Sequence, residues 1–172
     1  MLELLAPAGN LDAVIAAVQN GADAVYMGFG DGFNARRSAD NFTRESFAKA
    51  VRYCHIRGCK VYVTLNTLVG DREMDAAAAL AQQASDAGAD AILVQDLGLA
   101  RVLRAALPDI PLHASTQMSI HNLAGVEAAA EMGITRAVLA RELSLEQIRF
   151  ISQHASIETE VFVHGALCFC YS

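Results

Sequence analysis

Gly21-Ala-Asp-Ala-Val-Tyr-Met27 and Gly88-Ala-Asp-Ala-Ile-Leu-Val94 carry the same four-residue opening followed by a short apolar run. In each copy a glycine follows an amphipathic stretch, where a helix stops in the left-handed conformation. The run after it is too short for a helix and too apolar for a surface loop, so it reads as a strand buried on both faces. A helix-to-strand joint that occurs twice is the mark of one strand–helix unit used repeatedly.

Outward from those joints the alternation holds throughout. Residues 3–6 read as the first strand, and Asn10 caps a helix whose apolar face is Leu11, Val14, Ile15 and Val18, spaced at i, i+3, i+4 and i+7. Thr43 caps the next helix, with Phe47, Ala50, Val51 and Cys54 inward and Gly58 at its end. Residues 60–66 form the third strand. An alanine-rich helix after Asp71 ends at Gly88, and 91–94 is the fourth strand. The following helix turns Leu99, Val102, Leu103 and Ala106 inward and stops at Pro108. Residues 111–115 make strand five, 122–133 a helix, and 136–140 strand six. Ser144 with Gln147 predicts a capping box, with Leu143 packing on Ile148 as its staple. Residues 158–163 form strand seven, where Glu160 and Phe162, with His164 just after, alternate against Val161 and Val163.

Seven such units in 172 residues match the unit size of a (β/α)8 barrel, which runs to roughly 250 residues. The expected architecture is therefore a TIM-like barrel spanning 1–172, truncated before its eighth strand. A doubly wound open sheet is the competitor, disfavoured because no G-x-G-x-x-G follows the first strand. Strands one and seven should then have open edges, through which the chain is expected to dimerise, to close on itself or to aggregate.

Hydrophobic residues make up 53% of the chain, mostly Ala, Val, Leu and Ile, with seven Phe, four Tyr and no Trp. A net charge of −6 offers no clustered Lys and Arg for a nucleic-acid backbone. The chain has no signal-like opening and no apolar run long enough to span a membrane, so a cytoplasmic location away from membranes is expected. Four cysteines at 54, 59, 168 and 170 suit core thiols or metal ligands better than a disulfide framework.

The strand starts and middles read as apolar, whereas the C-terminal ends carry Tyr26, Asn66, Gln95 with Asp96, His113 with Ser115 and Gln117, Arg141 with Glu142, and His164. In a (β/α)8 barrel these ends converge on the face that holds the active site. Singly, each has a plain structural role: Asn66 or Ser115 in a turn, Asp96 as a helix cap, His113 as a core histidine. Six of seven strand ends presenting such groups predict a shared polar pocket. His113, Glu142 and His164 are the candidate proton carriers. Tyr26, Arg36, Asn66, Gln95, Asp96, Gln117 and Arg141 are the candidate substrate contacts, with Arg141 suited to a small anionic cosubstrate. The loop 29–41 carries Arg36 and Arg37 over that face, as a lid or binding loop does. The Cys168-x-Cys170 pair is a metal signal that needs partners from elsewhere. A Cys168–His164 nucleophile ranks below a soft-metal or iron–sulfur site.

Five stretches, Glu3-Leu-Leu-Ala-Pro-Ala-Gly9, Gly21-Ala-Asp-Ala-Val-Tyr26, Phe33-Asn-Ala-Arg36, Arg141-Glu-Leu-Ser144 and Glu160-Val-Phe-Val-His-Gly-Ala-Leu-Cys168, resemble the collagenase-like peptidase family U-32. The resemblance covers nearly the whole chain. It implies a TIM-like barrel followed by C-terminal parts absent here, and an enzyme. Family members are linked to 5-hydroxylation of uridine in tRNA or rRNA and to ubiquinone-ring hydroxylation. The family name comes from collagenase activity with no assigned catalytic type. The expected function is RNA hydroxylation at an iron–sulfur-dependent site; peptide hydrolysis is the alternative, and an inactive scaffold the third reading. RNA or a peptide is the expected partner. In several members four cysteines hold the cluster. Cys168 matches the first of them and the others would lie past Ser172, so no cluster is expected in this chain alone, while Cys170 matches none.

Overall fold

The computed structural model describes residues 2–30, 32–35 and 41–165. Seven strands and six helices alternate along it. The strands are β1 (Leu5–Pro7), β2 (Ala24–Met27), β3 (Lys60–Leu65), β4 (Ala91–Val94), β5 (Leu112–Ala114), β6 (Arg136–Val138) and β7 (Glu158–Glu160). The helices are α1 (Leu11–Gln19), α2 (Arg44–His55), α3 (Met74–Asp86), α4 (Leu97–Ala106), α5 (Leu123–Glu131) and α6 (Leu145–His154). All strands are parallel and each pairs with its neighbours in sequence. The sheet curls into an incomplete barrel, with β1 and β7 as its outer strands.

Local chemistry sets the helix ends. The side chains of Asn10, Thr43, Asp96, Asn122 and Ser144 each accept a bond from a first-turn backbone N–H, satisfying donors that would otherwise be orphaned. Ser144 and Gln147 make both arms of the capping box. Both glycines of the repeated joint are left-handed, at φ 90° for Gly21 and 97° for Gly88, where a β-carbon would add strain. Gly28 is needed for space. A β-carbon there would collide with the Asn34 and Asn41 side chains, which bond each other at 3.1 Å.

Two apolar layers follow from the strand alternation. Val25, Met27, Val61, Val63, Leu65, Ile92, Val94, Leu112, Ala114 and Ala137 point outward and meet the helices in the main core. Phe47, Ala50, Val51 and Cys54 of α2 pack there, as their spacing predicts. Fully burying a side chain such as Phe47 contributes about 2–3 kcal/mol. The inward residues Ala24, Tyr62, Ala91, Leu93 and Val138, with Leu5 and Tyr26, form a smaller cluster in the lumen.

Three expectations are corrected. First, α4 buries Leu99, Ala100 and Leu103 and leaves Val102 and Ala106 exposed. Its packed stripe is one position over from the one read. Second, β7 ends at Glu160 and does not reach residue 163, because its neighbour β6 ends at Val138 and the bond from Leu139 N to Glu160 O is the last rung. Third, three of the strand starts are charged, not apolar. Lys60, Arg136 and Glu158 open β3, β6 and β7, and they gather with Glu3 at the N-terminal end of the lumen.

Candidate functional site

At the C-terminal end of the lumen lies a cavity of about 430 Å³, counting the space open to solvent. Its walls are Tyr26 from β2, Thr64 and Asn66 at the end of β3, Leu93 from β4, Ser115, Thr116 and Gln117 after β5, Val138 from β6, and Glu160 and Phe162 at and after β7. Inward positions alternate with core-facing ones along each strand, so every second residue reaches the cavity.

Asn66 organises the neutral part. Its amide nitrogen donates to Ser115 Oγ at 3.2 Å and to Gln117 Oε1 at 3.1 Å, and its oxygen accepts from Ala35 N at 3.1 Å. Ser115 Oγ bonds Gln117 Oε1 as well. Gln95 reaches the same turn, donating to the Gln117 carbonyl at 3.4 Å, and Thr64 Oγ1 donates to Met27 O. The turn itself, a 3-10 segment at Thr116–Met118 closed by left-handed Ser119, carries no strong sequence signal. Thr116 Oγ1 is buried there without a hydrogen-bond partner.

His113 sits deeper in the lumen, 4% exposed and edge-on to Tyr62 with ring centroids 4.9 Å apart. Burial, reinforced by the nearby charge of Arg136, pushes its pKa down to about 3. The imidazole is therefore neutral at physiological pH, and its Nδ1 has no hydrogen-bond partner.

Below it the lumen is charged. Arg136 Nη1 donates to Glu3 Oε1 at 2.5 Å, its Nε and Nη2 donate to Glu158 Oε2 at 2.8 and 2.6 Å, and a long 3.5 Å contact runs to Glu160. Glu3 also accepts from Lys60 at 3.0 Å and from Tyr62 at 2.8 Å. Burial would raise the Glu3 pKa, but these donors outweigh it and hold it at about 2. None of this cluster was read from the sequence. A signal was present, since Arg136 and Glu158 each open a strand otherwise destined for the core.

Of the candidate residues, Tyr26, Asn66 and Gln117 line the cavity and Gln95 is bonded to its rim. His113 lies beneath it. Asp96 caps α4, accepting from Leu99 N at 2.8 Å, and also takes a long bond from Val69 N. Arg141 and Glu142 are exposed after β6, with the Arg141 guanidinium 5.5 Å over the Phe162 ring at the cavity mouth. His164 is exposed in the bend beyond β7, apart from buried His113. Arg36, Cys168 and Cys170 lie outside the described residues. The cysteines within them, Cys54 and Cys59, are buried, and burial pushes the Cys54 thiol up to about 12 and that of Cys59 upward. Such thiols stay protonated and are poor iron ligands. Among the described residues no group of three His, Cys, Asp or Glu could hold a metal, so the described residues do not supply a cluster site. No helix among them is long and apolar enough to cross a membrane.

Comparison with known proteins adds the lineage. The chain is 44% identical over 171 residues to the 23S rRNA 5-hydroxycytidine C2501 synthase of Escherichia coli, covering 99% of this chain and 25% of that protein. It is 41% identical to the tRNA hydroxylation protein P1 of Bacillus subtilis (99% and 40% covered), and 34% identical to a collagenase of Porphyromonas gingivalis (99% and 43%). The chain thus spans between 25% and 43% of the length of these relatives. Among solved structures, the U32 peptidase Mk0906 superposes with a TM-score of 0.76 at 18% identity, over 94% of this chain and 68% of that one. The model of peptidase family U32 matches residues 9–172. With the matched segment running through nearly all of its strands and helices, the chain belongs to peptidase family U32.

Proposed function

We propose that this chain is the barrel part of a cytoplasmic enzyme that hydroxylates a pyrimidine base of tRNA or rRNA, with the base held in the lumen cavity. The observation that carries this reading is the make-up of the wall: neutral amides and hydroxyls from Asn66, Ser115, Gln117 and Thr116 beside the Phe162 ring. Amides offer donors and acceptors to the edge of a planar base, and an aromatic ring offers a stacking face. The relatives named for rRNA and tRNA hydroxylation support it. Arg141, over Phe162 at the mouth, suits a small anionic cosubstrate. The iron–sulfur cluster implied by Cys168 belongs to this proposal, with its ligands outside the described residues, and no step is assigned to it. Dimerisation through the outer strands β1 and β7 is part of the same proposal.

Peptide hydrolysis is disfavoured by the chemistry of the wall. A serine nucleophile needs an adjacent base, and Ser115 Oγ is engaged by the amides of Asn66 and Gln117. The test is nucleoside mass spectrometry of rRNA and tRNA from cells lacking the full-length protein. A hydroxylated pyrimidine should disappear, return with the wild-type protein, and stay absent with Asn66→Ala. Unchanged RNA, together with gelatin cleavage by the purified protein, would overturn the reading in favour of the peptidase.

A further inference from the structure

Among the described residues lining the cavity, Glu160 is the one carboxyl. It sits where the neutral upper lumen meets the charged lower one. Its backbone is fixed by the Leu139 N to Glu160 O bond at 2.8 Å and by the pairing of Val138 with Glu160. The side chain is 18% exposed.

Its charged surroundings are already matched without it. Arg136 on β6 faces it from below, and the short contacts of Arg136 and of Lys60 on β3 are taken by two other carboxylates, Glu3 before β1 and Glu158 on β7. Only the 3.5 Å contact from Arg136 is left for Glu160. The other titratable groups around the lumen are Tyr62 on β3, His113 on β5 and Tyr26 on β2. His113 is neutral, and burial and the bond to Glu3 push the Tyr62 phenol upward. An ionised Glu160 would make a third carboxylate against two cations in a half-dry site. Burial accordingly raises its pKa, opposed by Arg136.

We propose that Glu160 is the proton carrier of the cavity, giving a proton to a heteroatom of the molecule bound between Asn66 and Phe162 and taking it back. One O–H bond breaks at the carboxyl and one N–H or O–H bond forms on the ligand; the return step reverses this, and no electrons are exchanged. The identity of that ligand rests on the RNA-base reading above, whereas the role of the carboxyl rests on its place in the wall.

Two measurements on the full-length protein test it. Carbon-13 NMR of the Glu160 carboxyl should give a midpoint above the ordinary glutamate range; an ordinary or lowered midpoint overturns the proposal whatever the RNA shows. Glu160→Gln keeps the shape and a donor but cannot release a proton, so the hydroxylated nucleoside should fall by about 10²–10⁴-fold. Wild-type activity should decline as pH rises through the Glu160 midpoint, while the residual activity of the Gln variant should stay flat. Glu160→Asp, which retains a carboxyl one methylene shorter, should recover part of the loss. Product within twofold of wild type in Glu160→Gln overturns the proposal. A raised midpoint in a wild-type protein that makes no hydroxylated nucleoside supports the carboxyl assignment and sinks the RNA reading instead.

Discussion

The two ends of one lumen solve opposite problems. At the N-terminal end, Glu3, Lys60, Tyr62, Arg136 and Glu158 spend their hydrogen-bonding capacity on one another. At the C-terminal end, Asn66, Ser115 and Gln117 are held in place by mutual bonds, yet Thr116 Oγ1 remains unpartnered beside an open cavity. Charged groups that neutralise each other make a floor, and neutral groups with capacity to spare make a site. High charge density inside a barrel is thus a poor guide to where a ligand goes.

The contrast is easiest to break from below. Arg136→Met removes the short partner that Glu3 and Glu158 share. It should cost about 3 kcal/mol, the lower end for breaking a buried pair, because Glu158 is largely exposed. Urea denaturation measures it, and a loss under about 1 kcal/mol would mean the floor is not structural. A smaller loss of the same kind should come from acid. The Glu3 pKa is lowered from 4.5 to about 2, so its contribution is complete above pH 4.5 and disappears as the pH falls through about 2. Glu160 is shifted the other way by burial, so its contribution has the opposite sign: it is present at low pH and is lost as the pH rises above the ordinary glutamate range. Arg136→Met should flatten the decline.

At the upper end the effect on stability is milder. Asn66→Ala deletes the bonds to Ser115, Gln117 and Ala35 and should cost about 1–2 kcal/mol, with faster hydrogen exchange at the Ala35 amide. Smallest of all is the coupling between the ends. If floor and site are separate devices, Asn66→Ala and Arg136→Met should add to within about 0.5 kcal/mol. A larger coupling would show that the floor also shapes the cavity.

The caps and stops of this fold were legible because their signals are local. Asn10, Thr43, Ser144 with Gln147, Gly21, Gly58 and Gly88 act within three or four residues of themselves, and the structure places each as its neighbours imply. Strand face was harder to read. In strands buried on both sides the apolar run does not say which side is the lumen, so Arg136, Glu158 and Glu160 could not be assigned inward before the register was known. Asn66 and Gln117 were legible as cavity residues because they terminate or follow strands. Asp96, from the same vantage, looks alike and is a cap. Position along a strand predicts the end of the barrel a side chain occupies, but not what it bonds to there.

The contact between Arg136 and Glu3 joins residues 133 apart in the chain, while each sheet pairing joins a strand only to the next one. Closing so long a loop carries an entropic cost that short-range pairings avoid. During synthesis β1 to β5 can therefore pair one after another as they emerge, with the Glu3 carboxylate held by Lys60 and Tyr62 of β3 alone. The lower end of the lumen is sealed only when β6 delivers its arginine. This sheet grows as a ribbon, and an ion pair ties its sixth strand back to the residues before its first.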